Sequence, residues 1–187
     1  VACVHNTQEV TAKGRKTRVI GGETGYLPLD AISLNGGTEF HTSSLMYRRE
    51  YGIDRPDFVS SINGVGDYPM AIYLRLCGDI YRFGNIMSVY RYGVPNSWSA
   101  RVGTSRDYYE YLLLATIEML RAADSYSRNM YKEVFDRAIL YNEYQISRLN
   151  RDLERLKETK FAEFYLKEPI TSRLALRMPF LRTVRRW

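Results

Sequence analysis

The chain has 187 residues, 45% of them apolar and 26% charged, with a net charge of +6. That balance excludes a disordered or low-complexity chain, and the length can bury a core in one domain or in two small ones. Two cysteines exclude a disulfide scaffold, and the two histidines, His5 and His41, show no metal-ligand spacing with them.

The opening VACVHNTQEV predicts a strand entered in mid-fold, with Val1 and Cys3 on one side, joined by His5, and Ala2 and Val4 on the other. It has neither a basic n-region nor a cleavage site, so it is not read as a signal peptide. A chain that opens on Val1 in the middle of a strand is expected to be a piece of a longer protein. Cys3 and Cys77 each sit in an apolar run and are expected as buried free thiols in a reducing compartment.

TAKGRKTR is predicted as a polar basic turn, followed by the Gly-rich GGETG. AISLNGG (31–37) predicts a short helix or turn that ends at a glycine pair. FHTSSLMYRR (40–49) predicts a strand leading into a turn or short helix. YGIDRPDFVSSINGVG is loop-like. Asp67 is then expected to cap a helix that carries Pro69 in its first turn and stops at Gly78. DIYRFGNIMSVYRYG predicts two short strands with Gly84-Asn85 at the turn.

A Gly/Ser/Pro-rich linker, GVPNSWSARVGTS, separates residues 1–104 from a helical extension, 105–187. The first extension helix is DYYEYLLLATIEMLRAADSYS. Glu118 and Arg121 interrupt its apolar run, so no transmembrane helix is expected. A second helix is predicted from about Arg128 to Phe164. There Phe135, Ile139, Ile146, Leu149, Leu153 and Leu156 recur at steps of three and four, with Asn142 in the gap between Ile139 and Ile146, the spacing of a core face or of helix pairing in a homodimer. The last 17 residues, TSRLALRMPFLRTVRRW, hold five arginines and no acid. They are either a solvated terminus or an interfacial segment for anionic lipid.

Asp67 is the candidate chemical residue. The charged form of a carboxylate at a helix start is stabilised by the dipole, which serves a plain helix cap as well as a site. A general base needs only to accept one proton from a well-placed hydroxyl, and Gly64 and Gly66 leave room for a substrate. Thr42, Ser43 and Ser44 fit either a site or local backbone bonds. Arg48 and Arg49 fit surface charges, Arg91 a structural ion pair, and Trp98 a core position.

The ordered set FHTSSLMYRRE, VGDYPMAIYLRLCGDIYRFGNIMSVYR and SWS resembles the carboxyl-terminal part of family 2 glycosyltransferases, the inverting GT-A group. The resemblance covers about residues 1–100. It implies an α/β chain holding the C-terminal, acceptor-side portion of a GT-A fold, with the long-helix extension outside it. It implies transfer of a sugar from a nucleotide-sugar donor to a carbohydrate or lipid-linked acceptor, with Asp67 as general base. Tyr68, His41, Thr42 and Ser43 match positions near acceptor and donor sugar, and Arg91 and Trp98 match the segment that closes near the diphosphate.

The family's Asp-x-Asp motif, which holds a divalent metal (Mg or Mn) and the diphosphate, is absent from the chain, as is the nucleotide-binding half. The metal therefore belongs to the intact parent enzyme and none is expected here, and the chain by itself is expected to be inactive. The histidine that many relatives carry after Val-Tyr-Arg is also missing. The expected location is cytoplasmic, at the inner face of the membrane if residues 171–187 make a membrane-surface contact. The alternative is a non-catalytic basic helical module for oligomerisation, membrane-surface or nucleic-acid binding. Nucleic acid is disfavoured, because no helix-turn-helix, zinc knuckle or RNP pattern is present and the arginines cluster only at the end.

Overall fold

In the computed structural model, which describes residues 1–35, 39–95, 97, 100 and 105–177, the architecture is mixed α/β, as expected. β1 (Ala2–Thr11) is the first strand, and it pairs in parallel with β5 (Ile80–Tyr92) over its whole length. β2 (Lys16–Ile20) and β4 (Met46–Tyr47) pair antiparallel with β1, and β3 (Gly25–Tyr26) pairs antiparallel with the start of β5. The order is β2-β1-β5-β3, with β4 beside β1.

The predicted alternation holds at the start of β1, where Val4 faces the core. Beyond His5 it fails, because Asn6, Thr7, Glu9 and Val10 are all buried and both faces of the strand are covered. The basic TAKGRKTR is a hairpin rather than a plain turn. Gly14, at φ 80°, makes its tip, and Lys16 onward returns along β1.

The largest correction concerns residues 80–92, which form one strand and not two. Gly84-Asn85 sits at an irregularity in the ladder, where the partner of β1 jumps from Phe83 at His5 to Ile86 at Asn6 and Ser88 at Thr7. The Asn6 side chain holds this kink together. Its amide donates to the carbonyls of Gly22 and Gly84, both at 2.8 Å, and its Oδ1 accepts from Gly22 N at 2.9 Å. These bonds link three segments and satisfy backbone groups that the irregular ladder leaves over.

Between β3 and β5 lie α1 (Leu29–Asn35), α2 (Glu50–Ile53) and α3 (Asp67–Cys77). The strand predicted within 40–49 shrinks to β4, because Thr42–Ser44 tighten into a 3-10 turn. The cause is local: the Ser44 hydroxyl donates to the His41 carbonyl at 2.7 Å. In α3 the cap is Gly66 rather than Asp67, which occupies the first helical position. Pro69 stands in the first turn, where its missing N–H costs no helical bond.

The helical half opens with α4 (Arg106–Tyr126), capped by Ser105, whose Oγ accepts from Tyr108 N at 3.2 Å. The long second helix is interrupted. α5 (Lys132–Leu149) begins only after Arg128 and Asn129, which both take left-handed φ, and it ends before Arg151, at φ 54°. Asp152 then caps a new start by accepting from Arg155 N, and α6 (Leu153–Leu156), α7 (Ala162–Lys167) and α8 (Ile170–Arg177) fold back on α5.

One hydrophobic cluster joins the two sides of the expected boundary. Val4, Ile72, Leu74 and Ile80 belong to it, together with Met119, Leu120, Phe135 and Ala138 from α4 and α5. Tyr144, Leu156, Phe161 and Phe164 form a second, smaller core. Both cysteines are free and half-buried. Among the described residues no helix is long and apolar enough to cross a membrane.

Candidate functional site

The turn Thr42–Ser44 and the start of α3 meet at Asp67, although 25 residues separate Thr42 from Asp67 in the chain. The Thr42 hydroxyl donates to Asp67 Oδ2, and the Tyr68 backbone N–H donates to Oδ1 at 2.9 Å. Both carboxylate oxygens are therefore oriented, and the group remains half-exposed at the surface. Gly64, just before it, holds a left-handed φ of 79°, so a side chain there would be strained.

His41 precedes the turn. Its Nδ1 accepts from Ser43 N at 3.2 Å and pairs with the Ser43 hydroxyl at 2.7 Å, which assigns the neutral ring's proton to Nε2. The ring lies against Tyr90 of β5, with centroids 4.2 Å apart. Burial lowers its proton affinity, while the charges of Asp67 and Glu9 act in the opposite direction. In an NMR titration, the His41 ring is expected to change charge below its ordinary value of 6.5, and Asp67→Asn is expected to move that midpoint lower still, because it removes a stabilising anion. A wild-type midpoint at or above 6.5 would contradict this environment.

Tyr68 points the other way. Its hydroxyl donates to the Ser33 carbonyl of α1 at 2.7 Å, and burial pushes the phenol well above its ordinary range. Its backbone N–H serves Asp67, and its side chain ties α3 to α1. Arg91 is exposed on β5 next to Tyr90, and strand alternation puts it on the opposite face from the ring that meets His41. The structure thus gathers His41, Thr42, Ser43, Asp67 and the Tyr68 backbone and leaves Arg91 apart. Trp98 lies outside the described residues, as does the tail beyond Arg177.

Two neighbours of this cluster were not singled out from the sequence, Glu9 and Tyr90. Glu9 is 7% exposed; it accepts from the Thr17 hydroxyl at 2.8 Å and pairs with Arg18 at 3.4 Å. A lone acid in the opening strand was the available signal. Tyr90 belongs to the quoted Val-Tyr-Arg run.

Two concavities, of about 390 and 400 Å3, open on the helical half, one around Tyr141, Arg148 and Glu168 and the other around Leu114, Ile117 and Ile146. Neither is lined by Asp67, which stands half-exposed on a ledge made by the Thr42–Ser44 turn and the start of α3. Among the described residues no group of three His, Cys, Asp or Glu side chains is arranged for a metal ion. One carboxylate bonded to a hydroxyl and an amide does not by itself fit a divalent cation. What the ledge can do is accept a proton from a bound hydroxyl.

No family model matches the chain, and no curated protein or solved structure matches it.

Proposed function

We propose that the chain is the acceptor-side part of an inverting family 2 glycosyltransferase, built on the C-terminal portion of a GT-A fold, with Asp67 as general base. The observation that carries this reading is the Asp67 carboxylate, fixed at both oxygens by Thr42 and the Tyr68 N–H and half-exposed at the surface.

The acceptor hydroxyl oxygen attacks the anomeric carbon of a nucleotide-sugar. The bond from that carbon to the diphosphate oxygen breaks, the diphosphate leaves with the electron pair, and the hydroxyl proton passes to Asp67. Fixed bonds to the carboxylate mean that little reorganisation is needed at the moment of transfer. His41 presents an Nε2–H donor beside the base, suited to a sugar hydroxyl or a phosphate oxygen.

Acceptor binding tests the proposal on the chain itself. Methyl glycosides of glucose, galactose, mannose and N-acetylglucosamine serve as probes in an amide NMR titration. Saturable shifts at residues 41–44 and 66–69 are expected for at least one of them. Shifts confined to the helical concavities, or none at all, would overturn the assignment of this ledge as the acceptor site.

A further inference from the structure

One face of the sheet gathers cations from two strands and a hairpin tip. In the ladders, Val10 of β1 lies beside Lys16 of β2 and beside Arg91 of β5, so the three side chains share a face. Gln8, two residues earlier in β1, points the same way and lies beside Val19 and Val89. Lys16 and Arg91 are exposed, as are Val19 at 44% and Val89 at 63%. Lys13 and Arg15, on either side of Gly14 at the tip, are exposed beside Lys16.

Among the described residues, none of Lys13, Arg15, Lys16 and Arg91 has an ion-pair partner. The sequence holds no acid from 10 to 22 or from 80 to 106. Glu9 stands beside Tyr90, whose ring meets His41 on the opposite face, and it is engaged by Thr17 and Arg18. Four exposed like charges repel one another, and an anionic partner relieves that repulsion.

We propose that this face docks on an anionic phospholipid bilayer, with Lys13, Arg15, Lys16 and Arg91 on the lipid phosphates and Val19 and Val89 at the start of the acyl chains. The valines favour the bilayer over other polyanions. Headgroup phosphates overlie hydrocarbon, so a bilayer meets cations and apolar side chains on one face together. A nucleic acid also offers phosphates, but its bases stack on planar rings, and the exposed apolar side chains that the ladders place on this face are valines. Docking leaves the Asp67 ledge, on the Tyr90 side of β5, clear of the bilayer, whatever chemistry Asp67 performs.

Co-sedimentation with vesicles tests this, using phosphatidylcholine alone and phosphatidylcholine mixed with phosphatidylserine. Binding is expected to the mixed vesicles only, and it should weaken as salt rises. Losing one cation at an anionic surface costs about fivefold in affinity, so Lys13→Gln, Arg15→Gln and Lys16→Gln together should lower binding by about a hundredfold, with circular dichroism unchanged. Val19→Ser with Val89→Ser should lower it several-fold while every charge is kept. Wild-type binding by the hairpin variant would overturn the proposal; loss of binding with Arg182→Gln, Arg185→Gln and Arg186→Gln would then move the contact to the basic end of the chain. Equal binding to both vesicles, binding to neither, or valine variants that bind like wild type would overturn it as well. A salt-dependent shift of DNA without vesicle binding would give the face to nucleic acid and overturn it equally.

Discussion

Phe135→Ala is expected to destabilise the entire chain, sheet included, by about 3–5 kcal/mol, the range for truncating a fully buried aromatic ring. Phe135 has no exposed surface, and its cluster holds Met119, Leu120 and Ala123 of α4 together with Ile72, Leu74 and Val4 from the α/β half. The ring therefore stands where helices α4 and α5 meet the layer under the sheet. A loss of that size is a large share of the roughly 5–15 kcal/mol that holds a domain together. Urea unfolding should show one transition at a lower midpoint, with amide protection in β1 lost in parallel with that in α5. Two transitions, with β1 keeping its wild-type protection, would show that the helical half folds as a separate unit.

The same cluster explains what could be read from the sequence and what could not. α4 was legible to within one residue at each end, expected over 107–127 and found at Arg106–Tyr126, because its apolar face recurs at helical spacing; the Ser105 cap was not read in advance. α3 was legible through Pro69 and Gly78, and the error at Asp67 is one position. The break in the second helix was not legible. The stripe from Phe135 to Leu156 keeps its period straight through Leu149, while the turn at Asn150–Asp152 depends on Arg151 accepting a left-handed φ and on Asp152 finding Arg155 N. Local pattern registers neither.

The strand at 80–92 failed for a long-range reason. Gly84-Asn85 reads as a tight turn, yet Asn6, 78 residues away from Gly84, holds the chain through it. The site divides in the same way. His41, Thr42, Ser43 and Asp67 lie in two short motifs and could be named in advance. The nearness of Glu9 and Tyr90 follows from the parallel pairing of β1 with β5, which sets Glu9 opposite Tyr90. That register is set by tertiary packing and not by any local motif.

The second large effect is expected at Asp67. Asparagine has nearly the same shape, can still accept from the Tyr68 N–H, and can meet the Thr42 hydroxyl with its amide. The fold and the ledge should thus survive Asp67→Asn, while the ability to take up a proton is lost. Removing a general base typically lowers turnover by about 10²–10⁴-fold. The loss should appear in kcat, because the proton moves only as the new bond forms, and donor affinity should be unchanged.

Asp67→Asn in the intact transferase of which this chain is proposed to be part, with transfer rate and donor binding measured separately, is the most direct test of Asp67 as the base. Transfer should fall by about two to four orders of magnitude, with donor binding intact. Transfer at the wild-type rate by the asparagine variant would contradict it and leave Asp67 as the first residue of a helix and no more.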